Sequence, residues 1–517
     1  MKNYAKPNIQ NMQVYSPPLE GRRGMLQLDF NERTIPPNKL VTEALIDFFK
    51  DGNLQVYPEY GDLNKKIADY SKVREEQVMI TNGSDQGIDL IFRVFTDKGD
   101  KVIIPTPSFA MFYQASEIAE NNIVKPSYDE DLAFPLQKVL DEIDKETKLV
   151  VICNPNNPTG TNVELDDIKK VLEKAKANDA LVYIDEAYYE FCGITGAGLI
   201  NDYPNLIISR TFSKAFGLGS MRIGYLIADS ELINEMLKVR GPYDVNQAAV
   251  VAARASLQPK VLEDVEDYRK EVMEVAKPMV EKYFDERGIE YFPSSANFVL
   301  FKTDDPTKIY EGLKENGILV RPRKGPNING TIRVCIGTVE QMKKFMDIFD
   351  TLLPKKIAFL DRDGALIYEP PEEETKQGDV PYQIDSIDKL KILDGVIEGL
   401  KELRTKGYKL VMISNQDGMG TEIFPQKDFE APQNEMLKIF EENGIKFDKI
   451  FVCPHLPEDN CGCRKPKTGL VDQFVTEENI DLESSFMYGD RDSDRKFAEN
   501  IGIKFIKAET NKPFNLK

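Results

Sequence analysis

Short runs of Val, Ile and Leu alternate along the chain with longer amphipathic stretches. The runs KVIIP (101–105), KLVVICNP (148–155), ALVYIDEAY (180–188) and LIISRTFSK (206–214) are rich in β-branched residues and end in polar residues or glycine. That pattern predicts buried strands, because branched side chains pack well on a pleated surface and turn residues stop the run. The stretches between them predict helices. Strands alternating with helices imply βα units around a largely parallel sheet, with ligands gathered beyond the strands' carboxyl ends. The segment VEQMKKFMDIFDTLLP has apolar residues at helical spacing and is stopped by Pro354, so it reads as a closing helix. A second series then begins at once, with KIAFLDRDG (356–364), KLVMISNQDG (409–418), KIFVCPH (449–455) and SSFMYGDRDSD (484–494). The pattern therefore divides the chain into two α/β parts, residues 1–354 and 355–517.

Length supports the division, since 517 residues exceed the roughly 250–300 at which a single core stops growing. A net charge of -19 argues against nucleic acid or an anionic membrane surface as a partner, because both require a basic footprint. Small-molecule substrates are expected instead. No window approaches the roughly 18 apolar residues of a membrane span, and the amino terminus has no apolar segment behind a basic start. A cytoplasmic location is the default. Six cysteines are too few for a disulfide framework, yet three of them lie between Cys453 and Cys463, together with His455, the one histidine of the chain. Such crowding points to a metal.

Candidate chemistry in the first part centres on Lys214. It follows an apolar run in SRTFSKAFGLGSMRIGY, with Ser213 beside it and Arg222 eight positions on. A lysine held in a cleft can form a Schiff base with an aldehyde cofactor, while Ser and Arg hold a phosphate. Alone, such a lysine is usually a surface residue. Its company changes that reading: NPNNPTG (154–160), YIDEAY (183–188) and TNGSDQ (81–86) stand upstream in order.

Together these motifs resemble the fold type I pyridoxal-phosphate aminotransferases of classes I and II over residues 1–354. The resemblance implies a large mixed-sheet domain with a small α+β domain and pyridoxal 5'-phosphate bound to Lys214. Asp185 would pair with the ring nitrogen and keep it protonated, so that the ring accepts electrons. Asn157 and Tyr188 would hold the ring oxygen. Gly83, Ser84 and Asp85 would meet the phosphate at a helix amino terminus, helped by Ser213 and Arg222. Phe112, in PSFAMFY, would stack on the ring. Tyr57, in VYPEYG, matches the tyrosine that reaches the neighbouring subunit's cofactor phosphate, which implies a homodimer. LDFNER (28–33), PYDVN (242–246) and TIRVCIGT (331–338) resemble the histidinol-phosphate aminotransferase branch. There Arg333 would bind the carboxylate of glutamate or the phosphate of the second substrate, with Arg321 and Arg323 as further candidates. Arg33, Ser220 and Asp244 depart from the family's usual residues and leave the chemistry intact.

In the second part, FLDRDG sets two carboxylates two residues apart at the end of an apolar run. Asp361 can attack phosphorus while Asp363 protonates the leaving oxygen and later deprotonates water. A carboxylate approaching a phosphate needs a cation, and magnesium held by Asp361, Asp363 and Asp490 would supply it. Ser414 and Asn415 in SNQDG suit phosphate ligands, and Lys465 in CRKPK would neutralise the transferred group. The ordered set resembles the haloacid dehalogenase phosphatases over residues 356 to about 510, which implies a Rossmann-like fold. Where that family has Thr, this chain has Ala365. Cys453, His455, Cys461 and Cys463 form C-x-H-x5-C-x-C, a donor set suited to structural, tetrahedral zinc. Among such phosphatases, the short zinc loop resembles the histidinol-phosphatase branch more than the heptose-bisphosphate branch. The reading is thus two consecutive steps of histidine synthesis on one chain. Rivals are an aminotransferase for another amino acid or phosphorylated amine joined to a heptose or other sugar-phosphate phosphatase, or to a noncatalytic second domain.

Overall fold

The computed structural model describes residues 4–14, 20–375 and 380–516, and the chain divides into two compact units, Met1–Thr351 and Leu352–Lys517. In the first, a short strand β1 (Leu26–Gln27) precedes the main sheet of β2 (Val78–Thr81), β3 (Lys101–Ile103), β4 (Asn122–Val124), β5 (Thr147–Cys153), β6 (Leu181–Asp185), β7 (Leu206–Thr211) and β8 (Gly224–Ala228). The strand order is β2-β8-β7-β6-β5-β3-β4. β8 runs antiparallel to both its neighbours, and the other pairings are parallel. The four runs read as strands from the sequence are β3, β5, β6 and β7.

All residues of β7 are buried, as are all but the first of β6. Both faces of these strands are therefore covered, which is why their sequences are continuous apolar runs rather than alternating ones. Each fully buried Ile or Val contributes roughly 1.5–3 kcal/mol by leaving water.

A smaller antiparallel sheet in the same unit holds β9 (Tyr291–Phe292), β10 (Phe298–Lys302), β12 (Arg321–Arg323) and β13 (Thr331–Cys335), in the order β12-β13-β10-β9. Between them in sequence, β11 (Ile318–Leu319) pairs in parallel with β1. The backbone bonds continue past β1, with Leu28 N donating to Leu319 O and Cys335 N donating to Leu28 O. This ties the LDFNER segment alongside β13. The closing helix is present as Val339–Leu352, with Met342, Phe345 and Phe349 buried on one face.

The second unit is a parallel sheet of β14 (Ile357–Leu360), β15 (Lys409–Asn415), β16 (Lys449–Cys453), β17 (Phe486–Gly489) and β18 (Lys504–Lys507), ordered β16-β15-β14-β17-β18. β14 is central, and the chain crosses to β15 on one side and β17 on the other. That reversal opens a crevice at the carboxyl end of β14, where FLDRDG turns. Among the described residues, no helix is long and apolar enough to cross a membrane.

Candidate active sites

A cavity of about 550 Å³ opens at the carboxyl ends of the main sheet and is lined by Lys214, Asp185, Asn157, Tyr188, Arg333 and residues around them. Strand register builds its floor. Cys153 on β5, Asp185 on β6 and Ser209 on β7 are direct neighbours across three strands. One oxygen of Asp185 accepts hydrogen bonds from Ser209 Oγ (2.9 Å) and Ala187 N (3.1 Å). Burial nevertheless pushes this carboxyl up to about 7, because a charge without solvent is costly. A cationic ring nitrogen facing Asp185 would relieve that cost.

Lys214 Nζ donates to the Phe30 carbonyl at 2.8 Å. Burial, and then the nearby Arg333 guanidinium, push it down to about 8. Asn157 Nδ2 lies 3.3 Å from the Tyr188 hydroxyl, which also accepts from Asn31 Nδ2 at 3.0 Å. Two groups able to hold one ring oxygen are thus side by side. Arg333 donates to Asn157 Oδ1 (2.5 Å) and to the Asp29 carbonyl (2.6 Å). Arg321 and Arg323 also line the cavity, as do Ser84, Asp85, Ser213 and Arg222. Asp85 heads the helix Gly83–Phe95 and is paired with Arg222 at 2.9 Å. Gly83 opens the helix at φ +70°, a left-handed conformation that residues with a Cβ rarely adopt. The enclosed lysine, the buried acid, the paired ring-oxygen donors and the helix terminus fit pyridoxal phosphate.

One sequence expectation is corrected in this unit. Phe112 does not face the cavity: it is fully buried in the core, edge-on to Tyr183. Phe109 lines the cavity instead. The helix begins only at Ala110, so Phe109 keeps extended backbone and leaves the helical phase that turns Phe112 inward. Tyr57, expected to serve a neighbouring subunit, lies outside this chain's own cavity. It is 71% exposed and stacks on Tyr243 with ring centroids 4.3 Å apart.

In the second unit, Asp361, Asp490 and Asp494 offer oxygens that all lie within 4.8 Å of one another. Lys465 Nζ reaches Asp361 at 2.7 Å and Asp494 at 2.6 Å, and also donates to the Ile413 carbonyl. Desolvation opposes its charge, but the two carboxylates outweigh it and raise the lysine above its ordinary value. Asp361 is itself raised by burial and by Asp494, against the pull of Lys465. Asp490 Oδ2 accepts from Thr510 while the buried Oδ1 has no hydrogen-bond partner. An orphaned buried carboxylate oxygen in such a cluster fits a hard cation such as magnesium. Gly364 is required here, since at φ +75° its Cβ would stand 2.7 Å from Asp490 Oδ2.

The structure leaves Asp363 out of this carboxylate group. Its oxygens accept from Arg362 Nη1 (2.8 Å), Gln416 Nε2 (2.5 Å) and Ser414 Oγ (3.2 Å). Asp494 takes the third place, returning over the cluster from the first turn of the helix Asp492–Ile501. Asn415 also differs from expectation: its Oδ1 accepts from Lys465 N (3.1 Å) and its Nδ2 donates to Lys465 O (3.2 Å), so it braces the lysine's backbone. Successive side chains of a strand point to opposite faces, which separates Ser414 from Asn415. Ala365 is buried in the apolar core. Nearby, Glu369 is pushed up to about 7 by burial and is ion-paired with Arg491. Neither was singled out by motif.

Cys453, Cys461 and Cys463 Sγ and His455 Nδ1 stand 3.2 to 3.7 Å apart in the pairs Cys453–His455, Cys453–Cys461, Cys453–Cys463, His455–Cys463 and Cys461–Cys463. Bonds of about 2.3 Å at tetrahedral angles put sulfurs roughly 3.8 Å apart. The donor chemistry and spacing fit zinc. Lys467 braces the loop through the Asn460 and Cys461 carbonyls.

Residues 23–349 match the family model for aminotransferase class I and II. The chain belongs to this family. The histidinol-phosphate aminotransferase of Ruminiclostridium cellulolyticum is 35% identical over 332 residues, 62% of this chain and 91% of that protein. That of Caldanaerobacter subterraneus subsp. tengcongensis is 34% identical over 342 residues, 65% of this chain and 95% of that one. In three dimensions the aminotransferase unit is similar to the histidinol-phosphate aminotransferase of Clostridium acetobutylicum, with TM-score 0.57 and 25% identity over 63% of this chain and 98% of that one. The Sinorhizobium meliloti enzyme in complex with pyridoxal-5'-phosphate shares the fold, at TM-score 0.61 and 23% identity over 68% of this chain and 99% of that one. Residues 356–511 match the model described as polynucleotide kinase 3 phosphatase. A phosphatase domain of the haloacid dehalogenase type therefore follows the aminotransferase.

Proposed function

We propose that the chain carries out two consecutive reactions: glutamate donates its amino group to imidazole-acetol phosphate, giving histidinol phosphate and 2-oxoglutarate, and histidinol phosphate is then hydrolysed to histidinol and phosphate. The observation that carries this reading is the lysine cavity with Arg321, Arg323 and Arg333 in its lining, on the same chain as a phosphatase domain. A cavity with three guanidinium groups suits substrates that present a carboxylate in one half-reaction and a phosphate in the other.

Bound pyridoxal phosphate supplies an aldehyde and a ring that accepts electrons. The remaining roles fall to this chain. Lys214, whose amine burial pushes down to about 8, attaches the cofactor and then moves the proton at the substrate's α-carbon. Asp185 holds the ring nitrogen, and Asn157 with Tyr188 holds the ring oxygen. Gly83, Ser84, Ser213 and Arg222 hold the cofactor phosphate, and Phe109 lies against the ring. Arg333 takes the carboxylate of glutamate. In the phosphatase domain Asp361 attacks phosphorus as the bond to the leaving oxygen breaks, and Asp363 gives that oxygen its proton. Water then attacks phosphorus, Asp363 takes the water's proton, and Asp361 is released. Asp361, Asp490 and Asp494 would hold magnesium, which would offset the repulsion between carboxylate and phosphate; Lys465 neutralises the phosphoryl group, and Cys453, His455, Cys461 and Cys463 would hold zinc and so fix the loop that ends just before Lys465. The exposed Tyr57 supports a homodimer, and an acidic, soluble, cytoplasmic enzyme is the setting.

The test is to supply imidazole-acetol phosphate and glutamate and look for histidinol. Accumulation of histidinol phosphate without histidinol would sink the phosphatase half; no 2-oxoglutarate would sink the first. The description of the matched phosphatase family favours a second reading, removal of a 3′-phosphate from nucleic acid. The net charge of -19 opposes it, and phosphate release from a 3′-phosphorylated oligonucleotide would decide.

A further inference from the structure

Behind the cavity floor, two hydroxyls stand in line with Asp185. Tyr183 precedes Asp185 by two residues on β6, so both side chains leave the same face of the sheet. Ser209 is the register partner of Asp185 on β7. The Tyr183 hydroxyl lies 2.8 Å from Ser209 Oγ, and Ser209 Oγ donates to Asp185 Oδ1 at 2.9 Å. Serine has one proton, and here Asp185 receives it, so Tyr183 must donate to Ser209. Neither Tyr183 nor Ser209 has any exposed surface. Phe112 packs edge-on against the Tyr183 ring, with centroids 5.9 Å apart, and so fixes the distal end of the chain of bonds.

We propose that Tyr183 and Ser209 are positioning residues that form a donor relay to Asp185, holding one carboxylate oxygen so that the other stays ionised and aimed at the cofactor's ring nitrogen. This rests on the pyridoxal-phosphate reading of the cavity. Hydrogen bonds in series polarise one another, so the relay stabilises the carboxylate more than one hydroxyl would. Its benefit is felt only by a cofactor that has a ring nitrogen to hold. Without Ser209 the carboxyl competes for the proton it should share with the ring, and the hold on the cofactor weakens.

The experiment compares the full chain loaded with pyridoxal phosphate and with its carbocyclic analogue, in which CH replaces the ring nitrogen. Cofactor dissociation is read by absorbance and fluorescence. Ser209→Ala is expected to weaken the hold on pyridoxal phosphate about tenfold and to leave the hold on the analogue unchanged. Tyr183→Phe gives a smaller loss in the same direction, and Ser209→Thr restores the wild-type contrast. Equal loss with both cofactors would make the residues merely structural and overturn the relay, as would no loss with pyridoxal phosphate. If Ser209→Ala does not fold, Tyr183→Phe reads the same contrast with the ring packing intact. A wild-type chain that takes up neither cofactor overturns the underlying reading, which sets that failure apart.

Discussion

Lys214 and Lys465 are both enclosed by protein, yet their surroundings move them in opposite directions. Lys214 faces Arg333 across the cavity and has no carboxylate in contact, so burial prevails and the amine is pushed down to about 8. Lys465 sits between Asp361 and Asp494, at 2.7 and 2.6 Å, so attraction prevails and it stays a cation. The first is prepared to lose its proton and attack; the second is kept charged to neutralise. Burial alone assigns neither role. The sign of the nearest charge does.

Exchanging losses between the two lysines gives the largest expected effects. Lys214→Ala should lower transamination by at least about 10⁴-fold and remove the cofactor's visible absorption, while phosphate release continues; retained turnover would break the assignment. Lys465→Ala should reverse the pattern, with phosphate release down by about 10²–10³-fold. It also strands Asp361 beside Asp494, at a cost of about 3–5 kcal/mol to the stability of the second unit, read by urea unfolding. Stripping zinc, or Cys463→Ser, should reduce phosphatase activity about 10- to 100-fold and spare transamination. Equal loss of both activities would mean that the loop does not act through Lys465.

Smaller effects sharpen the comparison. Phe112→Ala should cost about 3–5 kcal/mol of stability, whereas Phe109→Ala should leave the melting temperature nearly unchanged and weaken cofactor binding only a few-fold. Arg333→Gln removes the like charge facing Lys214. The pH midpoint for capturing pyridoxal phosphate, near 8 in the native chain, should therefore move upward, because the amine then keeps its proton to higher pH. A midpoint that moves downward or stays would show that Arg333 does not act on Lys214.

Much of this was legible in the sequence, for physical reasons. Strands buried on both faces are marked by continuous apolar runs, so β5, β6 and β7, Asp185 at the end of β6 and Lys214 just beyond β7 could be placed from local pattern. Cys453, His455, Cys461 and Cys463 were legible because ligand spacing is local. What was hidden depends on phase or on distant contacts. Phe109 and Phe112 differ by whether the helix has started, which no composition reveals. Asn415 reads as a ligand until its partner turns out to be the backbone of Lys465, fifty residues later. Asp494 is one of several aspartates in DRDSD, and only the turn of the following helix carries it back over the cluster. Asn31 entered through the pairing of β1 with β11, far apart in sequence.

The row Cys153–Asp185–Ser209 crosses the middle of the main sheet, since β6 has three strands on either side. Backbone in that position exchanges its amide hydrogens only when the whole unit opens, unlike loops and edges that open locally. The floor of the cavity should therefore share its lifetime with the fold. Cofactor-binding capacity then becomes a count of folded molecules, and amides of β6 should be among the slowest of the chain to exchange.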